Sequence, residues 1–526
     1  MAIHTSLILK VVLSLLSWKL VISSKQPNII FILADDLGWD DVSFHGSHQI
    51  PTPNIDELAY SGVLLHNYYV QPVCTPTRGA LLTGRYPMHL GLQHFVITPN
   101  EPVGLPLNET TLPTYLKKLG YSTHMVGKWH LGFFAKEYTP TYRGFDSHYG
   151  YFLGHQDYYT HNALWNNQWG FDLRHNMDLQ RSTFGEYGPE LFTTQAEKLI
   201  YDHDHKKPLF LYFAHQAVHY GNSGPNGTLL EAPYKYTSRF PHIADHQRRI
   251  YAGMVSALDD SVGNITRALK KSGLYNNSII VFSTDNGGPH ECEAFNTPLR
   301  GTKNTLWEGG IRGAAFIHSV LLEKPKRVCE GMMHVVDWLP TMYHVAGGNL
   351  SDLHNLDGFN MWDTLSSGVS SPRTEILHNI DPITQTAALR VGNLKVIVGE
   401  NKSDWFVPPQ ITFGKNGTNL TKQFGSDHRG IIVHCSSVPP VAYKNCDPKQ
   451  KPCLYNIKND PCEYYNLADE YPDVLQSLLY KLNDYNSTSV TPWVIPPDPR
   501  SNPSLHNDTW SPWIDLADIA PDFEYR

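Results

Sequence analysis

Ile29-Ile30-Phe31-Ile32-Leu33-Ala34-Asp35-Asp36 is the stretch that decides the fold. Six apolar residues without alternation read as a strand buried on both faces, and two adjacent carboxylates close it. Like charges side by side at the end of a buried strand repel each other, so the pair points to a cation held between strand ends. A polar loop is the plainer alternative. Two further runs share the pattern: Leu209 to Ala214 precedes His215 and His219, and Ile279 to Ser283 precedes Asp285 and Asn286. In an open parallel sheet, ligands gather outside the carboxyl ends of the strands. The three polar ends, distant in sequence, are therefore expected to meet at one site.

Helical patterns lie between the strands. One runs from Thr111 to Leu119 with Gly120 behind it, and a longer one from about Gln247 to Lys271 is stopped by Gly273. Alternating strands and helices predict α/β layers. Past residue 372 the texture changes to sequons, prolines and four cysteines, with a strand from Leu394 to Val398 and one amphipathic helix. That helix carries Val474, Leu475, Leu478, Leu479 and Leu482 on one face. The expected division is a signal peptide at 1–24, a catalytic domain at 25–372 and a smaller C-terminal domain with an antiparallel sheet at 373–526. The Pro-rich tail from Thr491 onward is expected to wrap the surface.

The chain has 526 residues, 41% of them hydrophobic, enough for a large core and two domains. Its net charge of -8, with no Lys/Arg block, argues against nucleic acid as a partner. The apolar run from Leu7 to Ile22 is interrupted by Lys10 and Lys19, which reads as a cleaved signal peptide, with an uncleaved anchor as the alternative. No later segment is long enough for a stable membrane span. Sequons at Asn108, Asn226, Asn264, Asn276, Asn349, Asn401, Asn416, Asn419, Asn486 and Asn507 fit passage through the secretory pathway, toward a lysosomal or extracellular destination. Seven cysteines are an odd number, so in an oxidising compartment one stays unpaired. Cys74 stands far upstream of the other six. Among those six, Cys435–Cys446 and Cys453–Cys462 are the local pairings, which leaves Cys292–Cys329.

The segment Cys74-Thr-Pro-Thr-Arg78-Gly-Ala-Leu-Leu-Thr-Gly84-Arg-Tyr matches Cys-x-Pro-x-Arg followed by Thr-Gly-Arg. Read alone, it is equally a buried thiol beside a helix start, with Pro76 at an early helical position. With ILADDLGWDDVSFHG, LLTGRYPMHLGLQH, VGKWHLG, STDNGG, LRGTKNTLWEGGIRG and EILHNIDP, it resembles the sulfatase family, and within it the arylsulfatase B branch, over about residues 26–380. The resemblance implies an alkaline-phosphatase-like large mixed sheet flanked by helices. It also implies that a formylglycine-generating enzyme converts Cys74 to Cα-formylglycine, which accounts for the odd cysteine.

Asp35, Asp36, Asp285 and Asn286 supply the hard oxygen ligands a calcium ion needs, and the aldehyde at position 74 adds another. Magnesium is the alternative that the resemblance disfavours. The family's pattern places Arg78 beside residue 74, Lys128 and Lys303 on the sulfate, His219 on the sulfate and at the departing oxygen, and His130 as a proton acceptor. Gly38, Trp39, Trp129, Gly287 and Trp307 are assigned to packing or tight turns. The expected activity is calcium-dependent hydrolysis of sulfate esters. The expected substrates are 4-sulfated N-acetylgalactosamine of glycosaminoglycans, or small aryl or diet-derived sulfates. A phosphodiesterase or phosphatase of the same fold and a catalytically silent secreted glycoprotein are the competing readings.

Overall fold

The structure, a computed structural model, describes residues 26–222, 229–409 and 430–518. The expected signal peptide and the sequons Asn226, Asn416 and Asn419 lie outside the described residues. A mixed sheet of ten strands forms the centre. Across it run Arg327–His334, Val63–Tyr69, Ala315–His318, Ser278–Thr284, Asn28–Ala34, Leu209–Ala214, Ser122–Lys128, Ser147–Tyr151, Arg174–His175 and Asp178–Leu179.

The three apolar runs are neighbours. Asn28–Ala34 pairs in parallel with Ser278–Thr284 on one side and Leu209–Ala214 on the other, and all three strands are buried along their whole length. Unbroken apolar sequence is what such a position requires, because helices cover both faces. Ser122–Lys128 adds a fourth parallel strand beside Leu209–Ala214. The helix expected at 247–271 runs His246–Lys271, with the Asp245 side chain accepting from Arg248 N. The other is found at Leu112–Lys118, with Thr111 at its N-cap position.

A four-stranded antiparallel sheet follows, in the order Glu375–Asp381, Thr386–Val391, Leu394–Val398, Cys453–Asn456. The helix Pro472–Asn486 packs against it and buries Leu475, Leu478 and Leu482, with Val474 and Leu479 partly covered. The tail returns to the main body: Trp493 N donates to Gly91 O at 2.9 Å, and the buried Trp510 donates its indole N–H to Ala163 O at 3.1 Å.

The cysteine pairing differs from expectation. Cys435 bonds Cys462 and Cys446 bonds Cys453, one bridge nested inside the other, while Cys292 and Cys329 are free and buried. The chain doubles back before Cys453 enters its strand, so the two outer cysteines meet each other and the two inner ones meet each other. Cys329 lies on the edge strand Arg327–His334 and Cys292 on a short turn of helix after the strand Ser278–Thr284. Of the sequons within the described residues, Asn108, Asn276, Asn349, Asn401, Asn486 and Asn507 are exposed, and Asn264 is half-buried. No described helix is long and apolar enough to cross a membrane.

Candidate active site

Parallel register sets Ala34 beside Thr284 and Leu33 beside Ala214, so the polar residues after each strand leave the sheet at one level. Asp36 N donates to Asp285 Oδ1 at 3.1 Å, fastening two of these ends together. Asp36 (φ 60°) and His130 (φ 58°) both hold left-handed backbone, a costly conformation that clusters where function fixes side-chain direction. Lys128 ends its strand beside Gly127 (φ 103°), where an added Cβ would lie 1.9 Å from Ala214 O. Only glycine permits that approach.

Cys74 opens the helix Cys74–Thr83, every residue of which is buried, and Gly84 (φ 69°) closes it in the left-handed conformation. Arg78 follows Cys74 by one turn and therefore faces the same way. Its Nε and Nη2 donate to Asp285 Oδ2 at 3.2 and 2.8 Å, and its Nη1 donates to Lys128 O at 3.1 Å. Lys128 Nζ donates to both Asp35 oxygens at 2.9 and 2.7 Å, and Lys303 Nζ to both Asp36 oxygens at 2.6 and 2.7 Å. Cys74 Sγ lies 3.8 Å from Asp35 Oδ1, and His219 Nε2 lies 3.5 Å from Asp36 Oδ2. One ligand atom each from Asp35, Asp36, Cys74 and His219 fall within 4.8 Å of one another.

Burial dominates the electrostatics. It pushes Asp35 up to about 8 against the pull of Lys128, and pushes the Cys74 thiol up to about 12. Burial also acts to raise Asp285, but Arg78 and Lys128 outweigh it and hold that carboxyl below its ordinary value. For Lys303, burial is outweighed by the Asp36 carboxylate, which keeps the ammonium well above the usual range. His219 and His130 are both lowered well below the ordinary imidazole value, by burial and then by Lys303 for the first and Lys128 for the second.

The histidine tautomers follow from their partners, since a carbonyl only accepts. His130 Nε2–H donates to Ile97 O at 3.1 Å, which leaves its Nδ1, buried without a hydrogen-bond partner, as a lone pair. His219 Nδ1–H donates to Tyr220 O at 2.7 Å and turns Nε2 toward the carboxylates. His215 belongs to the packing instead: its Nδ1 accepts from Ala217 N at 2.9 Å, its Nε2 meets Ser261 Oγ at 3.1 Å, and burial lowers it to about 3.

The pattern of the sequence does not single out Thr75. Its hydroxyl donates to His130 O at 3.0 Å and accepts from Ile97 N at 3.1 Å, tying residue 74 to the His130 loop. Nor does it single out Phe95, Tyr220, Glu291 and Asn304, which with Cys74, His130, His219 and Lys303 line a cleft of ≈ 220 Å³. Tyr220 and Asn304 carry a signal of position, adjoining His219 and Lys303, whereas Phe95 and Glu291 adjoin no residue of recognised chemistry.

The residues fit a hard divalent cation. Asp35, Asp36 and Asp285 are buried carboxylates converging on one point, and Asn286 Oδ1 is buried there with no hydrogen-bond partner, while its amide donates to Asp36 Oδ1 at 2.8 Å. An oxygen-only set of this kind suits calcium or magnesium better than zinc.

A family model described as Sulfatase matches residues 27–348. Arylsulfatase J of Mus musculus is 43% identical over 511 residues, 93% of this chain and 81% of that protein. N-acetylgalactosamine-6-sulfatase of Mus musculus is 28% identical over 92% of this chain and 90% of that one. The crystal structure of Ps i-CgsB in complex with k-i-k-neocarrahexaose superposes with a TM-score of 0.72 at 28% identity, covering 92% of this chain and 98% of that one. The likeness to arylsulfatase B read from the motifs thus stands at the level of the family.

Proposed function

This chain belongs to the sulfatase family, and from that premise we propose a calcium-dependent enzyme that hydrolyses sulfate esters of carbohydrates through a Cα-formylglycine at position 74. Family membership makes it a sulfuric ester hydrolase. The observation that carries the finer reading is the convergence within 4.8 Å of Asp35 and Asp36, which follow one central strand, His219, which follows another, and Cys74, which opens a helix.

Asp35, Asp36, Asp285 and Asn286, together with residue 74, are the groups to hold the calcium. When present, the ion and the aldehyde supply charge for the ester oxygens and a nucleophile for sulfur. Lys303 brings an ammonium group to the cleft and buried Lys128 a second one to Asp35 beside Cys74, where sulfate oxygens gain charge-assisted hydrogen bonds in a dry setting. Arg78 holds Asp285 and the Lys128 backbone in register and is a positioning residue. His219 Nε2, which faces the cleft, carries a proton to the departing oxygen when the ring is imidazolium. His130 offers the unpaired Nδ1 as the acceptor of the opposite transfer.

Sulfated carbohydrate as substrate draws support from a relative named for N-acetylgalactosamine and from an oligosaccharide in a related crystal structure. The 4-sulfate of N-acetylgalactosamine in glycosaminoglycans remains the specific candidate, beside small aryl or diet-derived sulfates. The sequons and the apolar leader support a secretory route to a lysosomal or extracellular site, with the formylglycine-generating enzyme as biosynthetic partner.

The test is turnover of 4-nitrophenyl sulfate and 4-nitrophenyl phosphate by purified protein, before and after chelation. We expect the sulfate alone to be cleaved efficiently, activity to vanish on chelation, and calcium to restore it better than zinc. Full activity in metal-stripped protein, or preference for the phosphate, would overturn the reading.

A further inference from the structure

The cleft that holds Cys74, His130, His219 and Lys303 is rimmed by residues with no part in sulfate chemistry. One of them is acidic. Glu291 lines the cleft with its side chain 63% exposed, 3.1 Å from its own neighbour His290. For an enzyme whose substrate is an anion, a carboxylate at the mouth is a cost unless it recognises something.

Its position is fixed from below. Glu291 sits in the short helical turn His290–Cys292, five residues beyond Asn286. That turn is held by Thr302 Oγ1, which accepts from His290 N at 3.2 Å, and by the His290 ring stacked on Phe406 at 3.4 Å. Phe95 is a second rim residue, 45% exposed, on the loop whose Ile97 carbonyl holds His130. Both rim residues therefore stand at set distances from the groups that engage the sulfate.

We infer that Glu291 and Phe95 read the leaving group, and that the substrate presents there an uncharged, hydroxyl-bearing pyranose rather than a second anion. This rests on the sulfatase reading above. A carboxylate accepts hydrogen bonds from two neighbouring hydroxyls at once, and the C–H face of a pyranose packs on an aromatic ring. A uronate or second sulfate placed beside Glu291 meets like charge at the mouth of the cleft and is disfavoured, so sulfates of neutral sugars are favoured over the uronate-linked glycosaminoglycan candidate named above. Lys128 and Lys303 draw in the sulfate that reacts, and Glu291 turns away a substrate with another anion next to it.

The experiment compares kcat/KM of the metal-loaded enzyme for three probes. These are 4-nitrophenyl sulfate, methyl glycosides of neutral galacto-sugars sulfated at O4 or at O6, and the same sulfated residue joined to a uronic acid. Wild type should favour the neutral glycoside over the uronate-bearing one by tenfold or more. Glu291→Gln should lower the ratio of neutral glycoside to aryl sulfate about tenfold, chiefly through KM, and raise the ratio of uronate-bearing to neutral glycoside at least fivefold. Glu291→Lys should raise the latter ratio further, and Phe95→Ala should lower the first ratio alone. Melting curves matching wild type confirm that the variants are folded. Aryl sulfate turnover with no cleavage of neutral glycosides, or ratios unchanged within twofold in both Glu291 variants, overturns this inference alone. Failure of wild type on every sulfate ester removes the sulfatase reading and this inference with it.

Discussion

His219 is a buried imidazole whose two ring nitrogens face different partners, Tyr220 O and the Asp36 carboxylate. Burial, Lys303 and Lys128 lower its affinity for a proton well below the ordinary imidazole value of about 6.5. Only the imidazolium carries a proton on Nε2, because Nδ1–H is already given to Tyr220 O. The sign follows: the protonated fraction grows as pH falls, so kcat/KM should decline steadily from pH 5 to pH 8. His219→Gln should remove this limb and lower kcat about 10²–10⁴-fold for a poor alcohol leaving group, less for an acidic phenol. Rate profiles of the two proteins with a sugar sulfate and an aryl sulfate check it; a wild-type profile rising above neutrality would assign the acid elsewhere. At this scale much was legible. Asp35, Asp36, Asp285, Asn286 and His219 were readable because each closes or follows an apolar strand. Thr75 was not, because its role lies in two hydrogen bonds to backbone atoms of Ile97 and His130 that no residue pattern encodes.

Among the elements, the segment Arg300–Ile311 that carries Lys303 is clasped by the small antiparallel sheet. Buried Lys395, on the strand Leu394–Val398, donates to Glu308 at 3.0 Å and Glu463 at 2.8 Å. The Arg300 guanidinium lies 3.7 Å over Trp307 and donates to Tyr455 Oη at 3.3 Å. Lys395→Met would leave two buried carboxyl groups without their shared cation, a loss of about 3–5 kcal/mol. We expect a lower melting temperature together with reduced kcat/KM, as Lys303 loses its fixed base, and partial recovery of both when Glu463→Gln is added. Calorimetry and aryl sulfatase assays on the single and double variants measure this. The strand Leu394–Val398 and the helix bearing Leu475, Leu478 and Leu482 were readable from periodicity. The disulfides were not, because nested pairing depends on where the chain reverses between Cys435 and Cys462 and leaves no trace in cysteine spacing.

Over the whole molecule, buried neutral histidines set a limit on acid tolerance. His148 is fully buried, donates Nε2–H to Gly127 O at 3.0 Å, and is lowered to about 4 by burial. His161 behaves likewise, at about 4. A folded-state value below the unfolded one gives stability that is present above about pH 6.5 and is lost as pH falls toward 4, about 3 kcal/mol for His148. Asp172 and Asp259, raised to about 6 chiefly by burial, act in the opposite sense and favour the folded state below their unfolded values. His148→Gln keeps a donor for Gly127 O and should flatten the decline in unfolding free energy between pH 6.5 and 4; denaturant titrations across that range test it, and identical slopes would contradict it. The order of the large sheet was only partly readable. Three central strands announce themselves by unbroken apolar sequence, whereas Arg174–His175 and Asp178–Leu179, the last two strands at one end of the sheet, are too short and polar to show a period.

The account turns on residue 74, and the measurement that tests it most directly is the turnover of an aryl sulfate set against the fraction of residue 74 carrying a carbonyl. That fraction is read from the mass of the peptide containing Pro76 and Arg78 and from its reaction with carbonyl reagents. Across preparations from hosts with and without the modifying enzyme, turnover should rise in proportion to the converted fraction. Cys74→Ala should fold and give none, and Cys74→Ser should react at most once. Repeated turnover by the unmodified thiol, or substantial activity in Cys74→Ala, would contradict the account.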